Sequence, residues 1–172
     1  MSERYFLKSK RIGFRTWSLD DIEQAIQLWS DAEVTRYLGG PFSNSHIHGQ
    51  LLTERAILRQ HNIQCWPIFL LETNEFIGCC GLRPYMPAER VYELSFQIIP
   101  AFRGNGYAYE AARAVIEYAY TQLQATSIFA GHHPQNIITK ALIEKLGFWY
   151  VYDEYYEPTG MYHPSYLLVK SV

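Results

Sequence analysis

Residues 96–112 read Phe-Gln-Ile-Ile-Pro-Ala-Phe-Arg-Gly-Asn-Gly-Tyr-Ala-Tyr-Glu-Ala-Ala, an apolar strand and a proline followed by a two-glycine turn that opens directly into a helix. The strands on either side of that helix are joined through it rather than by a tight hairpin, and so are expected to run parallel. The turn also makes an anion site. The first backbone N–H groups of a helix have no intrahelical acceptor, and the helix dipole adds about half a positive charge there. A pyrophosphate satisfies both, provided its approach is open. Gly104 and Gly106 carry no Cβ to block it, and Arg103 adds a charge-assisted donor.

Two common phosphate motifs fail. The dinucleotide fingerprint needs Gly or Ala at position 109, where Tyr109 stands. A P-loop needs a lysine followed by Ser or Thr at the helix entrance, and residues 106–112 contain no lysine. The string Arg103-Gly104-Asn105-Gly106-Tyr107-Ala108-x-Glu110-Ala111 instead resembles the acetyl-CoA-binding motif of the GNAT superfamily of N-acetyltransferases. Further pieces follow in the expected order between about residues 10 and 170. Asp31-Ala-Glu-Val34-Thr-Arg36-Tyr37 and Pro41-x-Ser43 are similar to the N-terminal region of the RimJ/RimL-like branch. Phe76-Ile-Gly78-Cys-Cys-Gly81-Leu82 and Tyr92-Glu93-Leu-Ser-Phe-Gln resemble its third and fourth strands, and Asn136-x-x-Thr139 with Glu144-Lys145-Leu146-Gly147-Phe148 its closing block.

Periodicity gives an outline independent of that resemblance. Ile12 to Thr16 alternates as a strand, and Ser18-Leu-Asp-Asp21 offers a capping box for a helix reaching about Trp29. A second helix is predicted over 44–61, although its apolar spacing is irregular and Gly49 weakens it. Gly39-Gly40-Pro41 breaks the chain between these helices. Trp66 to Glu72 and Phe76 to Leu82 form a hairpin about Thr73-Asn74-Glu75. The fourth strand, Glu93 to Ile98, alternates strictly: Leu94, Phe96 and Ile98 face one way, Glu93, Ser95 and Gln97 the other.

Residues 108, 111, 112, 115, 116 and 119 give the next helix a sheet-covering face. A fifth strand over 126–130 follows, then a helix over 136–146 with Ile138, Ala141, Leu142 and Leu146 on one side. Gly147 takes the left-handed C-cap position, and two closing strands span 149–156 and 165–170. The order predicts one α/β domain over 1–172, with a mixed, mostly antiparallel sheet of about seven strands flanked by helices. The resemblance implies a GNAT-like fold whose parallel fourth and fifth strands splay apart to admit the pantetheine arm of acetyl-CoA.

A chain of 172 residues is long enough for a well-buried core and too short for two independent domains. Its net charge of −2 provides no field to collect nucleic acid, and the short basic cluster Lys8-Ser-Lys10-Arg11 reads as a solvated strand flank. No apolar run is long enough for a membrane span, and the N-terminus lacks the apolar core of a signal peptide, so the expected setting is the cytoplasm. The 3 cysteines fit that setting: Cys79 and Cys80 are adjacent, the number is odd, and no metal-ligand spacing is present. No metal is expected. The 14 tyrosines need walls to pack on or a ligand to touch.

Acetyl transfer to an amine requires a base, a donor to the developing oxyanion and a proton near the departing thiolate. Free α-amines titrate near about 8 and lysine near about 10.4, so a base must act at neutral pH. Glu93, on the polar face of the fourth strand, is the candidate catalytic base, with the backbone N–H of Ile98 as oxyanion donor.

The resemblance implies cofactor contacts from Gln97, Ile98, Ile99, Arg103, Gly104, Asn105, Gly106, Tyr107, Ala108 and Asn136. Many family members carry a tyrosine where this chain has Ile143, and Thr139 supplies the hydroxyl that the resembled branch places near the sulfur. Asn136 also suits a helix N-cap. His132, His133 and the tyrosines at 150, 152, 155 and 156 read as loop and hairpin residues, with one tyrosine available to an acceptor pocket.

The expected activity is acetyl-CoA-dependent acetylation of a primary amine: a protein N-terminus, an amino acid or a small amine. The expected state is monomer or homodimer, with neither nucleic acid nor membrane as partner. A non-catalytic acyl-CoA-binding module of the same fold stays open at this point, because position 143 lacks the tyrosine. A nucleotide-binding domain is disfavoured by Tyr109 and the missing lysine.

Overall fold

Alternation between residues 91 and 98 puts a two-faced strand in the middle of one eight-stranded sheet in the computed structural model, which describes residues 4–171. The strands are β1 (Leu7–Lys8), β2 (Ile12–Phe14), β3 (Cys65–Leu70), β4 (Phe76–Met86), β5 (Val91–Ile98), β6 (Ser127–Gly131), β7 (Trp149–Tyr156) and β8 (Met161–Val169). Their order is β1-β2-β3-β4-β5-β6-β8-β7, and every pairing is antiparallel except β5 with β6. The strand beyond the expected seven is β1, whose two residues are too few to show a period.

Four helices flank this sheet: α1 (Ile22–Trp29), α2 (Asn44–His61), α3 (Tyr107–Thr121) and α4 (Ile137–Lys145). The predicted capping box is present at Ser18 and Asp21, where it starts a short 3-10 turn that runs into α1. Asp21 is braced further by two 2.8 Å bonds from Arg15. Irregular spacing in α2 has a physical explanation: the buried face is Ile47, Leu51 and Glu54, so a carboxylate occupies a core position. Gly49 lies where an added Cβ would meet nothing within 4 Å.

The two faces of the sheet carry separate cores. Ala111, Ala112, Val115 and Ala119 of α3 pack on Trp66, Ile77, Leu82, Leu94 and Ile128. On the other face, Ala25, Leu28 and Trp29 of α1 and Ile47 and Leu51 of α2 pack on Cys65, Phe69, Phe76 and Cys79. The period of two sends Cys79 to one core and Cys80 to the other; all three cysteines are buried and free.

The face predicted for α4 needs correction. Ile143, 1% exposed, and Leu146 are buried, while Ile138 is 80% exposed and Ala141 is also exposed. Residues 139, 143 and 146 share one helical face, and the helix docks through its C-terminal half. That rotation carries Thr139 inward. Gly147 follows with φ of 95°, the left-handed C-cap expected of it.

The parallel pairing is short. Only Val91, Tyr92 and Glu93 of β5 pair with β6, opposite Ser127, Ile128 and Phe129. Beyond Glu93 the strands separate: Leu94 to Ile98 keep β4 as their partner, and Ala130 and Gly131 keep β8. The sheet is forked, and Glu93 is the last residue before the fork.

Candidate active site

The turn that follows β5 leaves its amides free. Pro100–Phe102 forms a single 3-10 turn, Arg103 turns extended, and Gly104 and Gly106 both take φ of 80°. An added Cβ at Gly104 would meet no atom within 4 Å, and at Gly106 only Arg11 at 3.6 Å. The glycines are therefore required by the left-handed backbone, and the space in front of them is open. Gly106 is the N-cap of α3 and has no side chain to cap it. Among the described residues, no acceptor bonds the backbone N–H of residues 104–109. Solvent or an anion must satisfy them.

Arg11, from the basic cluster read as a strand flank, fixes this turn. Its guanidinium donates to the Asn105 carbonyl at 3.0 Å and to Glu110 at 2.7 Å, and it lies 4.5 Å from the centre of the Tyr107 ring. Arg103 points back, donating through Nε to the Ile98 carbonyl at 3.0 Å. The Asn105 side chain donates to the carbonyls of Phe102 and Arg103. Tyr107 and Ala108 occupy the first turn of α3, half-buried behind these amides.

Strand geometry sorts the β5 residues. Ile99 donates its N–H to the Ile77 carbonyl at 2.9 Å, so the neighbouring N–H of Ile98 is directed away from β4 and toward the fork. The Gln97 side chain accepts from Trp29 Nε1 at 2.7 Å and from the Cys79 thiol at 3.4 Å. It therefore ties α1 to the strand.

A cleft of about 670 Å³ lies over the fork. Glu93, Ser95 and Gln97 of β5 line it, together with Tyr37, Phe42, His46, Asn136, Thr139, Glu154, Tyr155 and Tyr156. The geometry thus gathers Glu93 and Thr139 in one cavity, with Ile98 following Gln97 along the same strand. Asn136 caps α4, accepting from the Thr139 N–H at 3.2 Å. Burial, with help from Glu154, pushes the Glu93 carboxyl above the ordinary glutamate range, and Arg83 partly opposes it. No hydrogen bond to that carboxylate is found among the described residues, which leaves it open toward the cleft.

Several cleft residues were beyond sequence reasoning. Arg83 lies directly across the ladder from Glu93, yet its guanidinium is bonded at 2.8 Å to Glu54. Burial alone would lower Arg83, but the Glu54 carboxylate more than offsets it and holds the guanidinium firmly protonated. Glu54, fully buried, also accepts from the Cys65 N–H and from Gln50. Tyr85 stacks 4.1 Å from Phe129 and shares a hydrogen bond with Tyr152. Burial, followed by that bond and Glu154, raises its phenol well above the ordinary tyrosine range.

His132 and His133, read as loop residues, line the cleft with His163. Burial and these two neighbours lower His163 below the ordinary histidine range. The visible signals were Glu54 at a core position and Arg83 at the end of an apolar strand. Neither announces a partner without the register. Among the described residues, no group of three or more His, Cys, Asp or Glu is placed to hold a metal ion, and no helix is long and apolar enough to cross a membrane.

Comparison with known proteins bears on this arrangement. The family model described as acetyltransferase (GNAT) domain matches residues 11–149. An uncharacterized N-acetyltransferase of Bacillus licheniformis, p20, is 30% identical over 146 residues, spanning 83% of this chain and 81% of its own. Among solved structures, an acetyltransferase of the GNAT family from Bacillus anthracis superposes with a TM-score of 0.81 at 22% identity, covering 95% of this chain and 97% of that one. RimL, a ribosomal alpha-N-protein acetyltransferase solved in complex with coenzyme A, superposes with a TM-score of 0.79 at 13% identity, covering 94% and 95%. At these identities the two structures share the fold.

Proposed function

The chain belongs to the GNAT acetyltransferase family, and from that premise we propose that it transfers the acetyl group of acetyl-CoA to a primary amine bound over the fork between β5 and β6. The observation that carries this is the conjunction of a forked parallel pair with uncapped amides at the adjacent helix start. The amides of residues 104–108, with Arg103, hold the diphosphate, and an arm extending from there reaches the fork. Backbone at Gln97 to Ile99 and the Asn136 side chain complete the cofactor contacts. The RimL relative that binds coenzyme A supports this assignment through its fold.

Bound acetyl-CoA supplies a thioester carbonyl. The chain's own groups do the rest. Glu93 takes the proton from the amine, directly or through water, as the nitrogen–carbon bond forms and the carbon–sulfur bond breaks. The N–H of Ile98 holds the carbonyl oxygen as charge builds on it. The Thr139 hydroxyl donates to the departing sulfur, taking the place of the phenol that Ile143 lacks. The three reduced, buried thiols support a reducing, cytoplasmic setting, and the reading treats residues 1–172 as one domain acting as a monomer or homodimer.

A thermal-shift panel tests the cofactor. Acetyl-CoA and CoA should raise the melting temperature where NAD and ATP do not, since a ligand bound only by the native state stabilises it by mass action. Gly106→Val forces a branched residue to φ of 80° in front of the amides and should abolish that shift, lowering stability by about 1–2 kcal/mol. Stabilisation of the Gly106→Val variant equal to the parent would remove the phosphate turn from the site.

A further inference from the structure

We infer that the acceptor is a primary amine on an apolar or aromatic skeleton with no carboxylate beside the amine. The inference rests on the transferase reading above and deepens it. Aromatic rings dominate the cleft lining: Tyr37, Phe42, Tyr155 and Tyr156, with the stacked pair Tyr85 and Phe129. The π faces of such rings attract an ammonium and an apolar chain and repel a carboxylate.

The charges agree. Glu93 and Glu154 both line the cleft. Among the described lining residues the one Lys or Arg is Arg83, and its guanidinium is spent on the buried Glu54 carboxylate at 2.8 Å. With Arg83 paired to Glu54, the acidic groups Glu93 and Glu154 stand in the lining without a Lys or Arg free to offset them. Arg36 lies 5.3 Å from the Tyr37 ring, but outside the lining. His163, lowered by burial and its histidine neighbours, supplies no cation at neutral pH. A carboxylate on the acceptor would find no free Lys or Arg among the described lining residues and two acidic side chains nearby. An ammonium would find both rings and carboxylates.

Tyramine, tyrosinamide and tyrosine share one ring and one amine and differ in the group beside it. Calorimetry gives their affinities for the protein, and acetyl-CoA-dependent thiol release gives their KM. Tyramine should bind with Kd and KM at least about tenfold below those of tyrosine. Tyrosinamide equal to tyramine would extend the acceptors to peptide N-termini, and tyramine ahead of tyrosinamide would confine them to small amines. Either ranking upholds the inference.

Glu154→Lys changes an exposed strand residue and should narrow the gap between tyramine and tyrosine. Tyrosine matching tyramine, an unchanged gap in Glu154→Lys, or no binding by any of the three overturns the inference. In that last case, thiol release with another amine leaves the transferase reading standing. Absence of any acetyl-CoA thermal shift sinks the transferase reading itself, and the calorimetric ranking then reports only which amines the cleft binds.

Discussion

Two Arg–Glu pairs stand behind the two halves of the site, and their surroundings make them different objects. Arg11–Glu110 braces the phosphate turn at 2.7 Å with side chains 41% and 17% exposed. Arg83–Glu54 braces the acceptor cleft at 2.8 Å with side chains 27% and 0% exposed. Water screens the first pair, so its part is to orient a backbone turn. In the second, the Glu54 carboxylate has given up its hydration and depends on Arg83 as its counter-charge. A site that takes a diphosphate from solvent at one end and an amine proton at the other thus uses the same two residue types in opposite regimes.

The titration of each end follows from that contrast. Burial would raise Glu110, but donors from the Ser9 hydroxyl and from Arg11 together hold it below the ordinary glutamate range. Its contribution to stability is present above the unfolded value and lost as pH falls through the lower folded one. Glu93 runs the other way. Raised by burial, it favours the fold while protonated, and that contribution is lost as pH rises through its raised folded value. The group therefore ionises, ready to accept a proton, at some expense to stability.

The largest expected effect is on the buried pair. Arg83→Met strands the Glu54 carboxylate without its counter-charge and should lower the unfolding free energy by about 3–5 kcal/mol in urea titrations. Adding Glu54→Gln to that variant should restore most of the loss. If the single variant is as stable as the parent, the two pairs are not in different regimes. Next comes Glu93→Gln, expected to reduce kcat by about a hundredfold and to remove an acidic limb lying above the ordinary glutamate value, without loss of stability at neutral pH. A profile with that limb intact would mean another group takes the proton. The smallest effect belongs to Arg11→Ala, which should cost no more than about 1 kcal/mol and less still in high salt. A larger, salt-independent loss would show that the turn depends on its ion pair just as heavily as the cleft does.

Legibility followed locality. The turn at 103–106, the capping box at Ser18 and the left-handed Gly147 were readable because each is settled within a few residues by backbone sterics or a single side-chain bond. The two-residue β1 was not readable, since a pair of residues has no period. On α4, Leu142 and Leu146 pack inward as predicted, but Ile138 and Ala141 face solvent and Ile143 is buried in their stead, a choice made only by the docked sheet. In α2, Glu54 at a core position looked like broken periodicity until Arg83 stood opposite it.

By itself the sequence determined that an apolar strand runs through a glycine turn into a helix, and with that a row of free amides at the helix start. Steric limits on φ and the missing acceptors of a helix start act over single residues, so neighbours in the chain suffice. Only the tertiary structure decided that β5 leaves β6 after Glu93, that Arg83 serves Glu54, and that Tyr37 and Tyr156 line the same cleft as Glu93 and Glu154. Those are matters of register and distance between segments far apart in the chain, and Coulomb forces and desolvation answer to separation in space and to burial.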